Sequence, residues 1–141
     1  MPKKQKAKKP TRSKLIQKAD SVFSTYIRLR DSDRHGIVTC PLCWAKQPRK
    51  KAQNMHFITR ACMLYRYDEN NCVAWCYRCN CILNWNYIEY TRYMQNKYWI
   101  EAVDLMIAES KKIHKLSTAE LEEIIEKYTN KIIKFSKRLT L

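Results

Sequence analysis

Apolar residues return every three or four positions at Ile16, Ala19, Phe23, Tyr26 and Ile27. That period predicts an amphipathic helix over about residues 13–30, with Ser13 as its cap and Asp31-Ser32-Asp33 as its stop. The pattern then shortens. A turn at Gly36, the only glycine, precedes a three-residue apolar strand, Ile37-Val38-Thr39. Residues 46–51 read as a basic loop around Pro48, and Met55-His56-Phe57-Ile58 as a second strand. Tyr65-Arg66-Tyr67 leads into an acidic, Asn-rich turn at residues 68–71. Cys72-Val73-Ala74-Trp75 returns as a strand, and a helix is expected from Asn80. Helical spacing resumes with Trp99, Val103, Met106 and Ile107 over about residues 96–114. Ser117 and Glu120 form a capping box. Leu121, Ile124, Ile125, Tyr128, Ile132 and Phe135 then carry one stripe to about residue 136, either as core or as a homodimer contact. No internal repeat is evident.

A chain of 141 residues divides naturally into one small domain and its appendages. Residues 1–12 are a basic, proline-containing arm with little to bury and are expected to be disordered. Residues 13–95 form the core with its leading helix, and residues 96–141 a C-terminal helical extension. The formal charge is +15, from 28 Lys and Arg against 13 Asp and Glu. Nucleic acid is the natural partner for such a balance, because each neutralised phosphate releases a condensed counterion. No apolar run reaches the roughly 20 residues of a membrane span, and no apolar segment follows the basic N-terminus as a signal peptide requires. The expected setting is cytoplasmic, with no membrane partner.

The chain holds seven cysteines. Cys40-Pro-Leu-Cys43 and Cys76-Tyr-Arg-Cys79 are two Cys-x-x-Cys knuckles, the spacing of one tetrahedral structural zinc. Such a closed site has no open coordination position for chemistry. Cys62, Cys72 and Cys81 are left as buried free thiols. Between the knuckles lies a single histidine, His56. Its ordinary pKa near 6.5 suits a general base, although a buried structural histidine or a phosphate contact reads equally from spacing. His35 falls at a turn and His114 on a helix surface. Asn71 could orient the imidazole, and Asn80, at a helix start, could offer an oxygen to a hard cation such as Mg²⁺. Both could equally be turn residues.

The order Cys-x-x-Cys, His, Asn, Cys-x-x-Cys-Asn resembles the zinc-stapled branch of the HNH, or His-Me finger, endonucleases. More closely, the chain resembles the NinG/Rap family of lambdoid phage recombination nucleases. Tyr26-Ile-Arg-Leu-Arg-Asp31, Tyr65-Arg-Tyr-Asp-Glu-Asn-Asn71, Cys76-x-x-Cys-Asn80, Asn86, Tyr90 and Glu101-Ala-Val-Asp104 carry the likeness. It implies an α+β fold, a small zinc-stapled ββα-metal core flanked by an N-terminal helix and C-terminal helices. It also implies His56, Asn71 and Asn80 as the three motif positions. Three departures from the family pattern stand out. Met55 stands for a glycine, Gln53 for an aspartate, and Leu83 and Trp85 for a lysine and a glycine.

The function expected on this basis is metal-dependent DNA endonuclease activity on branched recombination intermediates, Holliday junctions and D-loops. Zn²⁺ would be structural, and Mg²⁺ or Mn²⁺ near Asn80 catalytic. The expected phosphate contacts are Lys3, Lys4, Lys6, Lys8, Lys9, Arg12, Arg28, Arg30, Lys46, Arg49, Lys50, Lys51, Arg66 and Arg78. The alternative is a non-catalytic zinc-containing nucleic-acid-binding protein, or a structural component of a ribonucleoprotein.

Overall fold

The computed structural model describes residues 7–82 and 87–139. Its elements in order are α1 (Arg12–Arg30), β1 (Ile37–Thr39), β2 (Lys46–Pro48), β3 (Gln53–His56), β4 (Cys72–Trp75), α2 (Tyr87–Tyr98), α3 (Ile100–Glu109) and α4 (Thr118–Leu139). The fold is α+β. β1 pairs antiparallel with β2, and β3 with β4.

The strand β4 is the pivot. All four of its residues are buried, so it is covered on both faces. Side chains alternate along a strand, and the two sets enter different cores. Cys72 and Ala74 join Phe23, Tyr26, Leu121 and Tyr128 beneath α1 and α4. Val73 and Trp75 join Phe57, Tyr90, Met94, Val103 and three knuckle cysteines. β3 follows the same alternation. Asn54 pairs with Ala74 and His56 with Cys72, which turns His56 toward α1.

Aromatic packing locks α4 onto α1. The Phe23 and Tyr128 rings meet edge-on at 4.8 Å, a geometry that adds about 0.5–1.5 kcal/mol beyond area burial. Glu69 ties the same helices together, accepting from Tyr26 Oη at 3.0 Å and from Lys131. The apolar stripe of α4 therefore packs within the chain.

The cap of α1 is Thr11, whose hydroxyl accepts from the Lys14 amide, not Ser13. Residues 46–48 pair as a strand instead of looping, because Lys46 and Gln47 meet Thr39 and Val38. The helix expected at about residues 96–114 is α3, shorter at both ends (Ile100–Glu109). α2 ends at Tyr98, and Trp99 takes a left-handed φ of 75° before α3 begins. Trp99 is 79% exposed and not part of the core, because that backbone turn swings it off the buried stripe. His114 consequently lies in the α3–α4 connection. The Ser117–Glu120 capping box forms as expected, with the Glu120 amide donating to Ser117 Oγ at 3.2 Å and the Ser117 amide to Glu120 Oε2 at 2.7 Å. Among the described residues no helix is long and apolar enough to cross a membrane.

Candidate functional site

The two knuckles come together in space. The sulfurs of Cys40, Cys43, Cys76 and Cys79 all lie within 4.8 Å of one another, and Cys43 Sγ is 3.6 Å from Cys76 Sγ. Four sulfurs at the usual 2.3 Å from zinc sit about 3.8 Å apart, so the cluster fits that ion. Cys40 is positioned by the end of β1 and Cys76 by the end of β4. The first knuckle closes through the Trp44 amide to the Cys40 carbonyl at 2.9 Å, and the second through the Asn80 amide to the Cys76 carbonyl at 3.1 Å. The Cys79 amide also donates to Cys76 Sγ at 3.4 Å. The Ala45 amide holds the Cys43 thiol below its ordinary pKa, whereas burial pushes Cys76 and Cys79 up. Cys72 is a buried thiol as expected, but Cys62 is only half-buried and Cys81 is exposed. Cys81 follows the second knuckle, where the chain has turned outward.

His56 ends β3, and its ring lies 6.2 Å from that of Phe23 on α1. Its Nε2 is 2.9 Å from the Arg66 carbonyl oxygen. A carbonyl only accepts, so Nε2 carries the proton and Nδ1 is left as the basic nitrogen of the neutral ring. Burial lowers the imidazole pKa, the Arg66 carbonyl opposes this, and the nearby Arg60 charge adds to the lowering. The ring is therefore neutral, and able to accept a proton, at pH 7. It lines a cleft of about 340 Å³ together with Asn80, Asp20, Asn54 and Arg60. The cleft thus joins a base, an amide from the second knuckle and a guanidinium. A turn of π-helix over Arg78–Ile82 carries Asn80. A helix is expected from this point; α2 is described from Tyr87, and residues 83–86, including the family positions Leu83, Trp85 and Asn86, lie outside the described residues.

Asn71 has a different role from the one expected. It is fully buried. Its Oδ1 accepts from the Ile58 amide at 2.7 Å, while Nδ2 donates to the carbonyls of Ile58 at 2.9 Å and Tyr65 at 3.0 Å. With both ends of its amide bound to backbone, Asn71 does not orient the imidazole. It clamps the loop that delivers the Arg66 carbonyl, and that carbonyl orients the ring.

Two of the expected phosphate contacts are likewise structural. Arg30 forks onto Asp31 and donates to the carbonyls of Glu69 and Cys72, both at 2.8 Å. Asp31 in turn accepts from the Ala74 amide at 2.8 Å. This pair covers the free edge of β4, which an uncovered strand would offer to other chains. Arg66 is spent on both oxygens of Asp20 and on the Arg60 carbonyl. Arg28 donates to the Ser24 carbonyl at 3.2 Å and to Thr25 Oγ1 at 3.4 Å within its own helix. Lys8, Lys9, Arg12, Lys46, Lys50, Lys51 and Arg78 are exposed, and Arg12 donates to the Leu116 carbonyl. Arg28, Arg49 and Lys50 line one groove beside α1. Burial and the neighbouring Arg49 charge lower the Arg28 pKa. Lys3, Lys4 and Lys6 lie outside the described residues.

Asp20, Asn54 and Arg60 line the cleft without any mark in the sequence pattern. Nothing in local spacing singles out Asp20, since only the packing of α1 on β3 brings it there. Asn54 Oδ1 is buried and has no hydrogen-bond partner among the described residues.

The comparisons with known proteins bear on the whole chain. The family model described as "NinG: Bacteriophage Lambda NinG protein" matches residues 1–138. No curated protein matches the chain, and no solved structure matches it.

Proposed function

The chain belongs to the bacteriophage lambda NinG family, and from that premise we propose that it is a zinc-stapled HNH-type DNA endonuclease acting on branched recombination intermediates such as Holliday junctions and D-loops. The observation that carries this reading is the His56 ring, held by the Arg66 carbonyl at 2.9 Å with Nδ1 as its basic nitrogen. That nitrogen takes a proton from water as the oxygen attacks phosphorus, and the bond to the 3′ oxygen breaks in line. Arg60, lining the same cleft, supplies positive charge to the phosphate. Asn71 is a positioning residue, acting through the loop it clamps. The four cysteines would hold zinc as a staple and leave no position for substrate.

A divalent ion such as Mg²⁺ or Mn²⁺, when bound, would stabilise the negative charge that develops on the leaving oxygen. Asn80 and the orphaned carbonyl of Asn54 are oxygen donors suited to a hard cation, but both are neutral. Asp20, the carboxylate in the cleft, is already neutralised by Arg66. Much of the cation's affinity would then come from the substrate's own phosphate, as is usual for Mg²⁺. The same neutralised Asp20, together with Gln53 in place of an acid, favours the second reading, a zinc-containing DNA-binding protein that does not cut.

The test is incubation of the zinc-loaded protein with four-way junctions, D-loops, duplex and single strands, with and without Mg²⁺ or Mn²⁺. Cleavage that His56→Ala loses while binding persists supports the endonuclease. Binding without cleavage under every metal condition supports the second reading.

A further inference from the structure

Across Thr59 from the His56 cleft lies a second concavity, of about 540 Å³, with Thr59 lining both. Its volume falls within the roughly 300–1,000 Å³ typical of ligand sites. Tyr87 and the buried Phe57 form a parallel pair there, with an interplanar angle of 3° and centroids 5.4 Å apart. Tyr87 is nevertheless 50% exposed, so Phe57 holds an aromatic ring that the core does not need to cover. Lys111, Lys112 and His114 line the same hollow and are exposed. No acidic side chain lines it among the described residues.

An open aromatic ring beside two lysine ammonium groups is what a nucleotide requires, a flat apolar surface for the base and positive charge for the flanking phosphates. We propose that this concavity binds one unpaired nucleobase of a DNA strand, stacked on Tyr87, while the neighbouring phosphate lies in the His56 cleft. Bases within a continuous duplex are stacked on both faces and cannot reach the ring. A base freed at a branch point or a bulge can. Tyr87 thereby favours interrupted duplexes over perfect ones at a distance from the chemistry. The inference rests on the nucleic-acid reading above and names the feature of the substrate that is read.

The test uses the full zinc-loaded chain without added Mg²⁺ or Mn²⁺, so that only binding is observed. The probe is a duplex with one bulged 2-aminopurine, beside the same duplex without a bulge. The wild type should quench the bulged base, and Tyr87→Phe should keep the quench because the ring remains. Tyr87→Leu should lose it, with affinity for the bulged duplex down on the order of tenfold and affinity for the perfect duplex unchanged. That unchanged affinity also shows the variant to be folded. Equal loss on both duplexes, or a quench that survives in Tyr87→Leu, overturns the site. So does a Tyr87-dependent dimer, read by light scattering, in place of base stacking. A Tyr87-dependent quench with no cleavage under any metal would leave this site standing and remove the endonuclease reading, and the converse result would do the opposite.

Discussion

Replacing Asn71 by alanine separates an architectural asparagine from a chemical one. The change deletes three hydrogen bonds at a fully buried position. It strands one amide and two carbonyls, and a buried unsatisfied polar group costs about 1–3 kcal/mol. Simple addition gives about 3–9 kcal/mol, which overstates the effect, because carbonyls tolerate partial satisfaction and a water can enter a polar hole of this size. An expected loss of about 2–5 kcal/mol remains, a large share of the 5–15 kcal/mol typical of a domain. For a chain of this length each kcal/mol shifts the melting temperature by roughly 3 °C, so melting should fall by about 6–15 °C. The assay is thermal unfolding followed by circular dichroism with zinc saturating, alongside cleavage measured well below the melting point. Because Asn71 acts through the loop carrying the Arg66 carbonyl, residual cleavage should persist in the folded fraction. A variant that melts within about 1 °C of wild type yet cannot cut would refute the clamp and return Asn71 to direct chemistry.

Cleavage should fall on acidification with a midpoint below 6.5, because burial lowers the His56 pKa and only the neutral ring accepts a proton; an acid limb centred above 6.5 would contradict this. The linked effect on stability has the same sense. The unfolded chain binds the His56 proton more readily, so this group costs stability as pH drops through 6.5 and none above it, which urea titrations at pH 5.5 and 7.5 can resolve. Chelating zinc should remove on the order of 10 kcal/mol and unfold the half of the protein built on the knuckles. Zinc affinity should rise with pH, since the raised thiols of Cys76 and Cys79 must release their protons; competition titrations at two pH values measure it. Replacing Arg28 and Arg49 together by glutamine should flatten the salt dependence of DNA binding by about one unit of slope for each phosphate left without its cation. Arg30→Gln should leave that slope unchanged and destabilise the fold by about 2–4 kcal/mol, because its partners are Asp31 and two backbone carbonyls.

The segment Tyr65 to Asn71, which carries much of the family likeness, is largely architecture. The Tyr67 hydroxyl donates to Asp20, and its carbonyl accepts from the Tyr128 hydroxyl at 3.1 Å. Glu69 holds Tyr26 and Lys131, Asp68 caps the Asn70 amide at 2.7 Å, and Asn71 clamps the loop. These contacts gather α1, α4 and β3 around one short stretch. In the proposed nuclease reading this segment acts indirectly, through the Arg66 carbonyl that fixes the His56 tautomer.

Period and spacing in the chain determined α1, β1, the capped start of α4 and the four sulfurs that converge. These features depend on interactions a few residues apart, or on ligand types whose chemistry admits few partners. Spacing also singled out His56 and Asn80, which do meet in one cleft. It could not say how Asn71, Arg30 and Arg66 would be used, because an amide or a guanidinium serves backbone, carboxylate or phosphate equally well until its neighbours are known. Those neighbours come from distant parts of the chain. Asp20 takes Arg66, Ile58 and Tyr65 take Asn71, and the free edge of β4 takes Arg30 and Asp31. The break at Trp99, the exposure of Tyr87 and the identity of the nitrogen that remains basic on His56 were decided in the same way, by long-range packing that fixes which polar groups are already satisfied and which are left to act.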